Sequence, residues 1–373
     1  MGLNAFALPD FPWDSLGPFR ERAARHPDGV VDLSVGTPVD PTPQVVADAL
    51  RAAANAPGYP QTYGTAALRE AVAAWFERRR HAPGVDPAGV LPTVGSKEFV
   101  ALLPAMLGLG AGDIVVHPVT AYPTYDVGAR LAGATPLPAD AVDAWRANPA
   151  VKLVWVNSPS NPTGAVLGHE ALREIVTAAR EIGAIVASDE CYAELAWSEP
   201  WAQEGAPSIL DPRVCDGSHD GLLAIYSLSK QSNLAGYRSA FAAGDVRLIA
   251  QLLELRKHAG FMVPWPVQEA TRVALGDDEH VAAQRARYGE RRGVLAQALV
   301  RAGFTIDASD AGLYLWSTRG EDAWDTIAWL ADRGIVVAPG TFYGEAGARH
   351  VRIALTASDV DIATAARRLV NGK

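Results

Sequence analysis

Cysteine is nearly missing from this 373-residue chain, which has only Cys191 and Cys215. Two cysteines build neither a disulfide framework nor a CxxC metal site, so a reducing, cytoplasmic setting without a bound metal is expected. Long apolar runs are missing too. The most apolar stretch, Phe99 to Leu109, is broken by Pro104 and falls far short of the roughly 20 residues that span a bilayer, so no membrane partner is expected. Met1 to Pro9 lacks a basic region followed by an apolar run, and position 6 after Gly2 is Phe rather than the Ser or Thr of a myristoylation signal. Positive charge is also scarce: 33 Lys and Arg against 42 Asp and Glu leave a formal charge of −9. A nucleic-acid partner, which needs a basic footprint, is therefore not expected. The one basic cluster, Arg78 to Arg80, closes an amphipathic pattern and reads as a solvated helix end.

What the chain does have is length and alternation. At 373 residues it exceeds what one hydrophobic core serves, and 49% hydrophobic with 20% charged residues is the composition of an ordinary globular protein. Apolar runs of strand length, Asp113 to His117, Leu153 to Asn157, Ile185 to Ser188 and Leu222 to Tyr226, alternate with helical patterns such as Leu172 to Glu181. That alternation predicts βαβ units. After Pro264 and Pro266 one long helix is expected over Gln268 to Ala302. Short strand candidates follow at Thr305 to Asp307, Gly312 to Ser317, Ile335 to Ala338 and His350 to Leu355. The fold class is thus α/β: a mainly parallel-sheet large domain, residues 45–270, with a smaller α+β domain from residues 1–44 and 271–373.

In open α/β sheets ligands gather beyond the carboxyl ends of the strands, so the residues there are read first. After Leu222 to Tyr226 come Ser227, Leu228, Ser229 and Lys230, with Arg238 eight residues later. A lysine amine can form an imine with a carbonyl compound, and Ser227, Ser229 and Arg238 can hold a phosphate beside it. A solvated loop lysine is the plain alternative. The preceding strand ends in Asp189, Glu190, Cys191 and Tyr192. A carboxylate there can keep a pyridine nitrogen protonated while the phenol binds a ring oxygen; taken singly, Asp189 is equally a loop or cap residue. The strand before delivers Asn157-Ser158-Pro159-Ser160-Asn161-Pro162-Thr163-Gly164, a stiff two-proline loop that can present the Asn161 amide. Gly95, Ser96 and Lys97 precede an apolar helical run, where backbone N–H groups face an anion. Tyr122 can stack on an aromatic ring or simply be buried.

NSPSNPTG, SDECY and SLSKxxxxxGxR, in this order and spacing, resemble the signature of fold-type I pyridoxal-phosphate enzymes, specifically the class I/II aminotransferases. The resemblance implies pyridoxal 5'-phosphate as cofactor. It implies Lys230 as the Schiff-base lysine, Asp189 on the pyridine nitrogen, and Tyr192 and Asn161 on the 3-oxygen. Gly95, Ser96, Lys97, Ser227, Ser229 and Arg238 fall on the phosphate side, and Tyr122 on the ring. Gly36, in Leu33-Ser34-Val35-Gly36-Thr37-Pro38, resembles the segment that closes over substrate. Arg352 resembles the arginine that grips the substrate α-carboxylate. Tyr63 matches the tyrosine that reaches the neighbouring subunit's phosphate, which implies a homodimer with shared active sites.

Further segments are similar to the actinobacterial N-succinyldiaminopimelate aminotransferases of lysine and diaminopimelate synthesis. These are Phe11 to Asp14, Val31 to Pro41, Ala121 to Gly133, Arg256 to Gly260 and Asp310 to Trp316. The implied reaction exchanges an amino group between L-glutamate (leaving as 2-oxoglutarate) and N-succinyl-2-amino-6-oxopimelate, in two half-reactions. Lys97, Arg256 and Lys257 are candidates for the distal end of that di-acid, with structural salt bridges as the alternative for each. Rival readings are another amino-acid aminotransferase or a C–S lyase on the same fold. A transcription regulator's effector domain is a third, but no room for a DNA-binding module precedes Asp32.

Overall fold

The computed structural model describes residues 8, 9 and 11–371. Its strands run in chain order as β1 (Val31–Asp32), β2 (Val90–Val94), β3 (Ile114–His117), β4 (Thr135–Pro138), β5 (Val151–Asn157), β6 (Ile185–Asp189) and β7 (Leu222–Ser227). They continue as β8 (Ser239–Gly244), β9 (Thr305–Asp307), β10 (Tyr314–Thr318), β11 (Ile335–Val336), β12 (Ala338–Pro339) and β13 (Val351–Ala354).

Seven of them form one sheet in the order β2-β8-β7-β6-β5-β3-β4. β3 to β7 pair in parallel, and β8 runs antiparallel between β2 and β7. Every residue of β7 and β8 is buried, as expected of central strands covered on both faces. One face packs Val154, Val156, Val186 and Phe241 under helices Ala66–Arg80 and His169–Glu181. The other packs Trp155, Ala187, Ile225 and Ala242 under Ser96–Met106 and Val246–Ala259. A second sheet, β12-β13-β10-β9, is antiparallel, and β1 pairs in parallel with β11. Its apolar side packs with Leu33, Tyr288, Leu313 and Ile353 into a separate core.

Several expectations need correction. The long helix is two helices, Trp265–Leu275 and Asp278–Arg301, because Gly276 ends the first and the Asp277 side chain caps the second by accepting from Glu279 N. Ile335 to Ala338 is not one strand but the ends of β11 and β12, which belong to different sheets. The Arg78–Arg80 cluster is not a solvated helix end. Arg80 is buried and ion-paired with Glu190 at 2.9 Å, and Arg79 holds Glu194 at 2.5 Å. β1, β2, β4 and β8 lie outside the expected strands. β4 carries two prolines, tolerated because it is the sheet edge. Among the described residues no helix is long and apolar enough to cross a membrane.

Candidate active site

Adjacent parallel strands bring their carboxyl ends side by side: Asn157 is in register with Asp189, and Asp189 with Ile225. The loops leaving β5, β6 and β7 therefore share one rim. At the end of β7, Ser227 caps a single helical turn, Leu228–Gln231, its Oγ accepting from Ser229 N at 3.2 Å and donating to Ser229 Oγ at 2.8 Å. Lys230 sits on that turn, and its Nζ donates to the carbonyl of Gly36.

Asp189 closes β6 and is 7% exposed. It accepts from Tyr125 Oη at 2.9 Å and from Cys191 N at 3.2 Å. Tyr125, fully buried, stacks on Trp155 at 5.0 Å. No cationic side chain pairs with Asp189 among the described residues, and burial pushes its carboxyl above the ordinary range despite those neutral donors. Burial likewise raises Tyr192 and Cys191.

Gly95 and Ser96 stand at the start of helix Ser96–Met106. The Gly95 N–H is not free, since it donates to the Arg238 carbonyl at 2.9 Å. The unpaired amides of the first turn begin with Ser96 and Lys97. Gly95 has φ +76°, and a Cβ there would collide with the Arg238 guanidinium, so glycine is what lets that cation approach the helix start. Arg238 is exposed and itself left-handed, at φ 57°.

Arg352, on β13, is 3% exposed. Its Nη1 donates to Asn161 Oδ1 at 2.9 Å and its Nη2 to the Ser34 carbonyl at 2.8 Å, while Nε has no partner. Its guanidinium lies over the rings of Tyr314, at 3.9 Å, and Tyr343, at 4.9 Å. Asn161 sits in a loop whose Ser158–Pro159 and Asn161–Pro162 bonds are both cis, and its N–H is fixed by Asn157 Oδ1 at 2.7 Å.

These groups enclose a cavity of about 600 Å³. Of the sequence-predicted residues it gathers Gly36, Ser96, Lys97, Tyr122, Asn161, Asp189, Tyr192, Ser227, Ser229, Lys230, Arg238 and Arg352. Gly95 lies directly behind Arg238. Tyr63 is not brought in: its hydroxyl donates to the Ala88 carbonyl and Arg69 covers its ring. Arg256 and Lys257 are not brought in either. Arg256 is fully buried against Glu98, and Lys257 pairs with Glu254 on the surface. Sequence reasoning passed over Tyr125, Cys191, Tyr314 and, at the mouth, Phe11, Trp13 and Arg20. Tyr125 carried a signal, three residues beyond Tyr122 on the helix that follows β3.

Residues 28–369 match the family model of aminotransferase class I and II. The chain belongs to the class I and II aminotransferases. It is 58% identical to OxyQ of Streptomyces rimosus, a 4-dedimethylamino-4-oxo-anhydrotetracycline transaminase, over 97% of this chain and 99% of that one. It is 57% identical to the Mycobacterium tuberculosis protein named "Probable aminotransferase Rv1178", over 99% of this chain and 86% of that one. A solved structure from Thermus thermophilus, described as a "probable N-succinyldiaminopimelate aminotransferase", superposes with a TM-score of 0.85 at 29% identity, covering 97% and 100% of the two chains.

The cofactor of this family is pyridoxal 5'-phosphate, and the residues present fit it. A buried carboxylate with only neutral donors is costly unless a cation meets it, and a protonated pyridine nitrogen is such a cation. The free amides of a helix start, two serine hydroxyls and a guanidinium seated where Gly95 has no side chain make a dianion site. A buried guanidinium that lines the cavity beside Asn161 is the group that a substrate carboxylate requires.

Proposed function

We propose that this aminotransferase moves an amino group from L-glutamate to a long succinylated keto-acid, N-succinyl-2-amino-6-oxopimelate. The observation that carries the reading is the pairing of two cationic groups across one cavity. Arg352 is buried in the cavity wall, and Lys97 is without a carboxylate partner among the described residues, facing the rings of Tyr122 and Phe11 at 5.9 and 5.7 Å. Arg352 suits the α-carboxylate. Lys97 suits the distal acidic end, whereas Arg20, which also lines the cavity, is held by Asp32 and Ser34; the similarity to the Thermus thermophilus protein supports the same substrate class.

When bound, pyridoxal phosphate supplies an aldehyde that condenses with amines and a ring that accepts the electron pair left at the substrate Cα. The chain's own residues do the rest. Lys230 Nζ would anchor the cofactor, then take the proton from the substrate Cα as general base and deliver it as general acid to the cofactor carbon that carried the aldehyde. Asp189 holds the ring nitrogen's proton, Tyr192 Oη and the Asn161 amide donate to the ring oxygen, and Tyr122 covers the ring. Ser96, Ser227, Ser229 and Arg238 fix the phosphate. Gly36 and its neighbours lie across the opening and exclude water. Tyr63 of the partner subunit completes the phosphate site in a homodimer.

The test follows the visible spectrum of the holoenzyme. Glutamate converts the aldehyde form to the amine form, and the succinylated keto-acid restores it. An unchanged spectrum on adding glutamate would defeat the donor assignment. Lys230→Ala is expected to lose both the long-wavelength band and turnover. A second acceptor reading, a polycyclic ketone, is favoured by the identity to OxyQ. A kcat/KM for such a ketone above that for the succinylated keto-acid decides for it.

A further inference from the structure

Tyr314 belongs to none of the roles above, yet it touches both halves of the site. It stands at the start of β10, is 4% exposed, and lines the cavity. Its hydroxyl is 3.2 Å from the hydroxyl of Tyr192, with the two rings edge to face at 5.8 Å. Its ring face lies 3.9 Å beneath the Arg352 guanidinium. Its hydroxyl also fills the space where a Cβ on residue 36 would be, so Gly36 is glycine because the phenol needs that room.

We propose that Tyr314 is a positioning residue of the aminotransferase site: its hydroxyl sets the direction of the Tyr192 hydroxyl and its ring seats Arg352, joining the cofactor half to the substrate half. The inference rests on the proposed placement of Tyr192 against the cofactor's ring oxygen and of Arg352 against the substrate carboxylate.

The direction follows from the single proton that each hydroxyl holds. Arg352 and Lys230 face Tyr314, with the phenols of Tyr192, Tyr122 and Tyr343 around it. Burial alone raises a phenol; at Tyr314 the charges of Arg352 and Lys230 together with the Tyr192 contact bring it below the ordinary range, whereas Tyr192 is raised by burial. A phenol holds one proton, and among the described residues no other acceptor meets the Tyr314 hydroxyl, so with the Tyr192 proton committed to the cofactor's ring oxygen the 3.2 Å contact is made by Tyr314 donating to Tyr192. The Tyr192 proton is then left pointing into the cavity, and each bond of such a chain strengthens the next.

Two variants separate the hydroxyl from the ring. Tyr314→Phe keeps the stacking surface and removes the donor. In the substrate-free holoenzyme the pH midpoint of the cofactor's visible absorption is expected to rise by about half a unit, because a weaker Tyr192 donor leaves the ring oxygen more basic. The KM for glutamate is expected to stay within about twofold. Tyr314→Leu removes the seat as well and is expected to raise that KM roughly tenfold, about 1.4 kcal/mol of binding. Circular dichroism and retention of the visible band establish that each variant is folded and loaded. An unchanged midpoint in Tyr314→Phe overturns the orienting role, and an unchanged KM in Tyr314→Leu overturns the seating role. The midpoint is read without any substrate, so a failure of the glutamate reading leaves this result standing on its own.

Discussion

Asp189 carries a charge that the protein alone does not match. Its partners are the Tyr125 hydroxyl and the Cys191 amide, both neutral, and burial raises its carboxyl above the ordinary range. A carboxyl raised on folding contributes stability below its unfolded value that is lost as pH rises through the folded value. The cofactor-free protein therefore carries this cost at neutral pH. Asp189→Asn is expected to raise the melting temperature of the cofactor-free protein by about 1–3 °C at pH 7 and to make no difference near pH 4. The same substitution should abolish most of the further stabilisation that pyridoxal phosphate gives, since an amide does not hold a pyridinium proton. Differential scanning fluorimetry across pH, with and without cofactor, checks both halves. A variant that melts lower than the wild type at pH 7 contradicts the account. Asp189 was legible in the sequence as a carboxylate ending a strand. Its isolation from cations was not, because only the fold excludes them.

At the scale of the element, the rim that holds Asp189 is braced from behind. Arg80, the last residue of helix Ala66–Arg80, donates to Glu190 Oε2 at 2.9 Å and to the Ala206 carbonyl at 2.8 Å. Glu190 Oε1 in turn accepts from Ser208 Oγ and Ile209 N. Both side chains are 1% exposed. Removing one partner of such a pair strands the other charge in the interior, so Arg80→Met is expected to cost about 3–5 kcal/mol in urea unfolding. Arg80→Met combined with Glu190→Leu should regain a large part of that. A loss under about 1 kcal/mol in the single variant would show the pair to be solvated. The sequence shows three arginines in a row at a helix end, and amphipathic pattern alone assigns them to solvent. What reverses the assignment is where the chain later puts Glu190 and Glu194. Similar reasoning covers the split of the long helix, since charge pattern runs straight through Gly276 and Asp277 while the cap geometry does not.

For the whole molecule, the segment that crosses the cavity is tied to distant elements. Ser34 O accepts from Arg352, Gly36 O from Lys230, and Asp40 is gripped by Arg291 at 2.7 Å, Arg287 at 3.2 Å and Gln284 at 2.9 Å. In the same segment Val39 is 57% exposed, and further along Tyr59 is 96% exposed. Tyr63 lies outside its own chain's cavity, which fits the proposed role of reaching the partner subunit's site. Sedimentation velocity is expected to give about twice the 39.5 kDa chain mass. In the proposed homodimer the Tyr63 hydroxyl exchanges the Ala88 carbonyl for the neighbouring phosphate, so Tyr63→Phe should weaken cofactor binding roughly tenfold. A monomer of full activity defeats the shared-site proposal.

The sequence by itself determined the α/β class, the order of the chemical groups and the family to which they belong. Strand period, turn residues and motif spacing are local properties, and Asn161, Asp189 and Lys230 each follow a strand that could be read directly. Tertiary structure alone decided which groups touch. Tyr314 reaches Tyr192 across 122 residues, Arg352 reaches Asn161 across 191, and Lys230 reaches Gly36 across 194. The reason is physical: contact energies and burial depend on distance in space, which a one-dimensional pattern does not encode. The same reason removed Arg256 and Lys257 from the cavity and put Tyr314 into it.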